Sequence, residues 1–238
     1  MITIKETLKG LVIKMAYPHI IGEYETLDAI KEGMSIARYG DGEFNLAGFR
    51  KCVSQEADRK LQAELMQILN TGSTKNLAVA IPPLDNTARL PEGKKRDFWT
   101  RQAKSISKHL NPKAKYYSSF ITRSDNAPWI DTPDFWSGLV SLWKDKDITL
   151  VIGSERSLCD RNMQDAKSIK YIRGLYRDSY REVDRIEKEI RGAGNKTVVL
   201  CLGATATVLA YRLCNDFHAL DLGHIGMKRM FMKGRGLA

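Results

Sequence analysis

Four cysteines in 238 residues (Cys52, Cys159, Cys201 and Cys214) are widely spaced and form no C-x-x-C pair. That pattern excludes a zinc ribbon or a disulfide framework as the basis of the fold. Cys201 lies in an apolar run and Cys214 near the end of a helical pattern, the usual settings of reduced, buried thiols. Long hydrophobic runs are also missing. The most apolar stretch, 197–213, is shorter than a bilayer span and contains Gly203 and three threonines. Lys5, Glu6, Lys9 and Lys14 interrupt any apolar signal-peptide core near the start. A soluble, cytoplasmic protein is the expectation. There is no internal repeat, no low-complexity tract, no G-x-G-x-x-G and no Walker sequence.

What is present is a composition able to fold. Hydrophobic residues make up 43% of the chain, enough to bury a sizeable core. Lys and Arg outnumber Asp and Glu by 38 to 28, a formal net charge of +10. Such an excess favours an anionic partner: nucleic acid, a phosphorylated substrate or an acidic membrane surface. The basic residues are dispersed, without the aromatic-plus-basic pattern of a nucleic-acid module, so no nucleic-acid partner is expected.

Hydrophobic spacing predicts helices over 5–17, 25–32, 57–69, 96–110, 135–144, 180–190 and 204–214. Strands are predicted at the Arg38 stretch, 76–81, 116–122, 148–152, 171–172, 197–202 and 219–222. Apolar strands alternating with helices specify an α/β fold: a single Rossmann-like domain with a mostly parallel sheet covered by helices on both faces. The expected limits are an N-terminal helical segment at 1–34, the Rossmann-like domain at 35–225 and a basic tail at 226–238.

The chemistry concentrates at strand ends. Ser35-Ile-Ala-Arg-Tyr-Gly-Asp-Gly-Glu-Phe-Asn45 runs from a strand into an acidic turn, with Asp41 and Glu43 separated by Gly42 and preceded by Gly40. Glycines beside an acid permit tight backbone turns. Paired carboxylate oxygens suit Mg²⁺ or Mn²⁺, which bridge to substrate phosphates. Arg38 offers a planar fork to a phosphate oxygen. As a tripeptide, Gly-Asp-Gly is equally an ordinary turn sequence. At Val198-Val-Leu-Cys-Leu-Gly-Ala-Thr-Ala-Thr-Val208 a strand meets a helix through Gly203, where free N–H groups favour phosphate and Thr205 and Thr207 add hydroxyls. Asp221-Leu-Gly-His-Ile225 places an acid and His224 around a glycine. Gly153-Ser-Glu-Arg156 brings Glu155 and Arg156 to another strand end.

These stretches together resemble a known family. Ile36-Ala-Arg-Tyr-Gly-Asp-Gly-Glu-Phe44 is similar to the Asp-X-Glu motif of the GT-D-type bacterial glycosyltransferases, long catalogued as a domain of unknown function. Leu202-Gly-Ala-Thr-Ala-Thr-Val-Leu-Ala-Tyr211 and Ala219-Leu-Asp-Leu-Gly-His-Ile225 resemble its C-terminal signature. Gln55, Thr122-Arg123 and Glu155-Arg-Ser157 are weaker matches between them, in the same order along the chain.

The resemblance implies a Rossmann-like hexosyltransferase that moves a sugar from a nucleotide-sugar donor, a UDP-sugar, to a growing glycan of a surface polysaccharide or glycoprotein. By the family motif, Asp41 and Glu43 would hold Mn²⁺ or Mg²⁺ against the donor diphosphate. Gly203, Thr205 and Thr207 would line the nucleotide site, Arg38 and Arg123 would meet the diphosphate, and His224 matches the motif histidine. The chain departs from the family at Ala204, where proline is usual, at Gly226-Met-Lys-Arg229, and at Leu158-Cys-Asp-Arg-Asn-Met163.

Two other functions remain compatible with the residues: a metal-dependent phosphohydrolase using the same acidic turn, and a nucleic-acid-binding protein explained by charge. In the tail, Lys228, Arg229, Lys233 and Arg235 are interleaved with Met227, Met230, Phe231 and Met232, and no acid follows Asp221. That pattern suits a peripheral contact with the inner face of the plasma membrane, where a lipid-linked glycan acceptor would be confined.

Overall fold

A computed structural model of the chain describes residues 17–153, 163–223 and 225. Most of the predicted first helix, Glu155, Arg156, His224 and the basic tail lie outside the described residues.

In chain order the elements are β1 (Ile20–Ile21), α1 (Glu23–Lys31), β2 (Ser35–Arg38), α2 (Asp41–Ala47), α3 (Arg59–Thr71) and β3 (Leu77–Ile81). Then come α4 (Lys94–Ser107), β4 (Tyr116–Ser118), α5 (Pro133–Val140), β5 (Asp147–Gly153) and β6 (Ser168–Gly174). The series ends with α6 (Val183–Ala193), β7 (Thr197–Cys201), α7 (Ala204–Leu213) and β8 (His218–Asp221). The strands form one sheet in the order β1-β4-β3-β2-β8-β7-β5-β6. Every pairing among these strands is parallel.

The central strands have the sequences that double coverage demands. Leu77-Ala-Val-Ala-Ile81 is buried at every position, and Thr197–Leu200 likewise. A strand covered on both faces reads as a continuous apolar run. On one side α7 lies on β2 and β8 and packs against α3 and α6, while α1 packs on β3 and β4 and against α5. Helix α3 is capped by Asp58, which accepts the N–H groups of Lys60 and Leu61 at 2.8 and 2.9 Å. Its apolar face, Leu61, Leu65, Ile68 and Leu69, is fully buried.

Three helices are tied together by one arginine at the end of α7. Arg212 grips Glu64 of α3 with Nε and Nη2, at 2.8 and 2.5 Å. Its Nη1 reaches Asp184 and Glu187 of α6, at 2.7 and 3.1 Å. A bidentate guanidinium–carboxylate pair constrains direction as well as distance.

The strand predicted at 116–122 ends at Ser118 and gives way to a 3-10 turn at Ser119–Thr122, and both edges of the sheet differ from expectation. The segment 1–34 was expected to stand apart, yet Ile20 and Ile21 pair with Tyr116 and Tyr117 of β4, and Leu27 and Ile30 enter the core. Residues 20–31 therefore belong to the sheet domain. A two-residue edge strand is too short to carry a pattern. At the other edge, β6 spans seven residues where only Tyr171 and Ile172 were expected. Its exposed Ser168, Lys170 and Arg173 hide the strand signal, as edge charges do.

At the amino end of β8, burial pushes the His218 imidazole below its ordinary value, and nearby Lys146 adds to this. Its Nε2 lies 3.0 Å from Ile30 O. A neutral ring with Nε2–H donates there. Below about pH 6.5 the unfolded chain takes up a proton that the folded chain refuses, so this group removes stability as pH falls. The stability difference between wild type and His218→Asn should shrink between pH 7.5 and pH 5 in urea titrations. A difference independent of pH would refute the assignment.

Candidate active site at the carboxyl edge of the sheet

Strands β2 and β8 touch in register only at Ile36 and Leu220. Side chains close the ladder at both ends. Ser35 Oγ donates to Phe217 O at 3.0 Å and accepts Ala219 N–H at 2.9 Å. At the carboxyl end the Arg38 N–H is met by the Asp221 carboxylate at 3.0 Å, and Thr207 donates to Arg38 O at 2.9 Å. The splay opens a cleft of about 360 Å³ lined from β2, β4, β5, β7 and β8 and the loops that follow them. Carboxyl strand ends are where open α/β sheets bind ligands.

The acidic turn is the start of a helix, not a loop. Tyr39 is fully buried and donates from its hydroxyl to Leu65 O at 2.8 Å, which pins the end of β2 against α3. The chain then turns at Gly40 and enters α2 with Asp41 as its first residue. Glu43 Oε2 accepts the Gly40 N–H at 2.8 Å, half of a capping box, since glycine has no side chain to return the bond. Both acids thus stand in a first helical turn, where the helix dipole favours negative charge. Asp41 is exposed and Glu43 half-buried. Burial, then Asp221 and to a lesser degree Asp41, push the Glu43 carboxyl up to about 7, against the lowering effect of its backbone hydrogen bonds.

Arg38 is a strut. Its Nε donates to Asp221 O at 2.6 Å, and its Nη1 to Ser119 O at 3.2 Å and to the Thr122 hydroxyl. Only Nη2 faces Asp221 Oδ1 more loosely, at 3.8 Å. The fork expected to hold phosphate is mostly spent inside the protein. Arg123 is paired with Asp125 through two 2.9 Å bonds, from Nε and Nη2, and lines the cleft. Asp125 first, and Asp41 and Glu43 more weakly, hold it charged.

Across the cleft, Gly203 turns at φ 54° and ψ −142° into α7. Gly203 itself is exposed and lines the opening. The two threonines expected to add hydroxyls there face inward. Thr205 Oγ1 lies 2.7 Å from Ser179 Oγ, Thr207 donates to Arg38 O and Asp221, and both are fully buried. The structure therefore brings Arg38, Gly40, Asp41, Gly42, Glu43, Arg123 and Gly203 to one cleft and turns Thr205 and Thr207 into its scaffold. Asp221, Ser54, Ser179 and Tyr176 also line it. Asp221 and Gln55 sat in quoted sequence matches; Tyr176 carried no local signal.

Among the described residues, no group of three or more His, Cys, Asp or Glu is placed to hold a metal unaided. Asp41 and Glu43 nevertheless fit Mg²⁺ or Mn²⁺, which take one or two carboxylates and complete their shell with water and substrate phosphates. The crowding of Glu43 by two other carboxylates is what a divalent cation would relieve.

A parallel sheet with a polar cleft across its carboxyl edge and a glycine turn into a buried helix defines a Rossmann-like α/β protein. The family model described as the glycosyltransferase GT-D fold matches residues 36–233, and the chain belongs to that family. It is 32% identical over 218 residues to the probable glycosyl transferase Gly of Streptococcus gordonii, covering 84% of this chain and 31% of that protein. It is 30% identical over 223 residues to glycosyltransferase GlyD of Streptococcus pneumoniae serotype 4, covering 88% and 27%. The chain thus spans about a third or less of those relatives' length. It superposes with a TM-score of 0.85 and 29% identity on a solved domain of unknown function 1792, described as having a distinct glycosyltransferase fold, covering 95% of this chain and 86% of that one. A new glycosyltransferase of the same domain from Streptococcus sanguinis superposes at 0.80 with 29% identity, covering 92% and 86%.

Gly223 follows β8 at φ 54°, and a Cβ there would strike Arg38 Nη2. Gly223→Ala should cost more in wild type than in an Arg38→Ala background, where only the left-handed backbone penalty of about 1 kcal/mol remains. Urea unfolding of the four proteins measures the coupling. Strict additivity would show that Arg38 is free to move aside.

Proposed function

We propose that this chain is a metal-dependent glycosyltransferase. It moves a sugar from a nucleotide-sugar donor, a UDP-sugar, to a glycan acceptor in bacterial surface polysaccharide or glycoprotein synthesis. One observation carries this reading: Asp41 and Glu43 at the start of α2 share a cleft with the Gly203 entry to α7, in a chain of this family.

Transfer breaks the bond between the anomeric carbon and the donor diphosphate oxygen and forms one to an acceptor hydroxyl oxygen, which gives up its proton, so negative charge grows on the departing diphosphate. The two arginines near it are already paired, Arg38 with Asp221 and Arg123 with Asp125. Among the described residues, Asp41 and Glu43 have no ion pair of their own with either arginine, Arg123 acting on them only at longer range. Asp41 and Glu43 would hold Mn²⁺ or Mg²⁺, which when bound neutralises charge developing on the leaving group. Gly203 lets the backbone come close to the donor, where a side chain would stand in the way. Arg123 adds positive charge at the rim, and Arg38 keeps the floor of the cleft rigid by holding β8 and the loop after β4.

The proposal includes a lipid-linked acceptor and a peripheral contact of the basic tail with the inner face of the plasma membrane. Among the described residues no helix is long and apolar enough to cross a membrane. Four basic residues at about 1 kcal/mol each suffice for reversible recruitment. Co-sedimentation with anionic liposomes should be strong at low salt, weak at high salt, and lost on removing residues 227–238. Equal binding by the truncated protein would rule out the tail as the contact.

The donor is found by screening nucleotide sugars with Mn²⁺ or Mg²⁺, scored by thermal shift and slow donor hydrolysis. Asp41→Ala and Glu43→Ala should lower metal-dependent turnover by about 100-fold or more. Asp41→Ala should leave stability within about 0.5 kcal/mol, and in Glu43→Ala the lost cap is offset by relief of a buried, crowded carboxylate, so both variants should stay folded. Full turnover by both variants at limiting metal would sink the assignment.

A further inference from the structure

Between α2 and α3 the chain makes a small hairpin that closes on itself, with Cys52 N–H donating to Gln55 O at 3.0 Å in an antiparallel bridge. This hairpin spans the cleft. At its near side Cys52 lies against the acidic turn: a Cβ on Gly42 would sit 3.7 Å from Cys52 Cβ. At its far side Ser54 faces the opposite turn, where a Cβ on Gly203 would sit 3.6 Å from Ser54 Oγ. One four-residue element therefore touches both halves of the cleft.

The hairpin is held rigidly. Gln55 is buried, donates from Nε2 to Asp178 Oδ1 at 3.3 Å and to Glu56 O at 3.3 Å, and accepts the Tyr180 N–H at 3.3 Å. Asp178 takes the Glu56 N–H on its carboxylate at 2.8 Å and donates its own N–H to Ser54 O at 2.9 Å. It does so at φ 53°, a conformation that costs a non-glycine residue strain and is kept only where surrounding contacts enforce it. The neighbouring Ser179 extends the bracket to the Gly203 turn through Thr205 Oγ1 at 2.7 Å and Leu202 O at 3.4 Å.

All of this fixes the Ser54 backbone while leaving its side chain in the cleft. Ser54 is half-buried and lines the cleft, and among the described residues its hydroxyl makes a weak 3.9 Å approach to Cys52 Sγ. A charged ligand oxygen is a far better acceptor for this hydroxyl than a thiol at that distance. Its position suits an anion, because it stands between the paired acids that would carry a divalent cation and the N-terminal turn of α7, where the helix dipole favours negative charge.

We infer that Ser54 is a binding residue for the donor, its hydroxyl donating a hydrogen bond to the diphosphate. This rests on the reading of the cleft as a metal–nucleotide site, and it names a group outside the Asp-X-Glu turn that selects phosphate. The bracket of Gln55, Asp178 and Ser179 positions it.

The test is calorimetry with UDP and Mn²⁺ on wild type, Ser54→Ala, Ser54→Asp and Asp41→Ala, each with a melting curve. Ser54→Ala should weaken UDP binding about tenfold, the worth of a hydrogen bond to a charged oxygen, and Ser54→Asp should weaken it further by repulsion. Both should melt as wild type does. If both bind UDP as wild type does while Asp41→Ala loses it, the inference fails and the metal–nucleotide reading stands. A loss seen only with UDP-glucose, and not with UDP, also overturns it, because the contact would then be to the sugar. If UDP and Mn²⁺ fail to bind wild type at all, the inference and the reading beneath it fall together.

Discussion

The pairing of Arg38 with Asp221 is the constraint on which the cleft depends. Both side chains are withdrawn from water, at 12% and 5% exposure. Removing one partner of such a pair typically costs about 3–5 kcal/mol, because the other charge is left buried and unmatched. Burial nonetheless raises the Asp221 carboxyl above its ordinary value despite the attraction of Arg38. The geometry explains that balance. Arg38 spends its closest bond, at 2.6 Å, on the Asp221 carbonyl and comes no nearer than 3.8 Å to the carboxylate from Nη2. It behaves as a brace between three strand ends more than as an ion-pair partner.

With that brace in place, two adjacent parallel strands can separate without leaving polar groups unpaired. Ser35 at one end of β2 and Asp221 at the end of β8 supply the hydrogen bonds that a continuous ladder would have made. Buried backbone groups must be paired somehow, so the crevice exists because side chains were available to replace the missing ladder. Helix α7 covers the splayed strands, and Thr207 donates to both the Arg38 carbonyl and the Asp221 carboxylate. The Arg212 cluster then locks α7 to α3 and α6. The helix that begins at the cleft is thereby tied down at its other end.

Charge follows the same logic. The chain is basic as a whole, yet among the described residues Arg38 and Arg123 at the cleft are bound to acids of their own. Asp41 and Glu43 add two carboxyl groups in one helical turn, beside Asp221. An excess of Lys and Arg over the whole surface draws in anions at long range. The described lining of the cleft combines hydroxyls, carboxylates and these already paired guanidiniums.

The sequence by itself determined the class of fold and the location of the acids. Leu77–Ile81 and Thr197–Cys201 are apolar at almost every position and alternate with helical patterns, as doubly covered parallel strands do, and Gly-Asp-Gly-Glu after a strand marked the candidate site. Those signals are local, carried by composition and spacing within about ten residues. Tertiary structure alone decided the roles. Arg38 is a brace because Asp221 lies 183 positions later in the chain and across one strand gap. Thr205 and Thr207 became scaffold because α7 is buried nearly all round, and Ser54 reached the cleft because Asp178 holds its hairpin there. No spacing rule within a segment encodes which long-range partner will consume a donor. That is settled only when the sheet order brings the strand ends together.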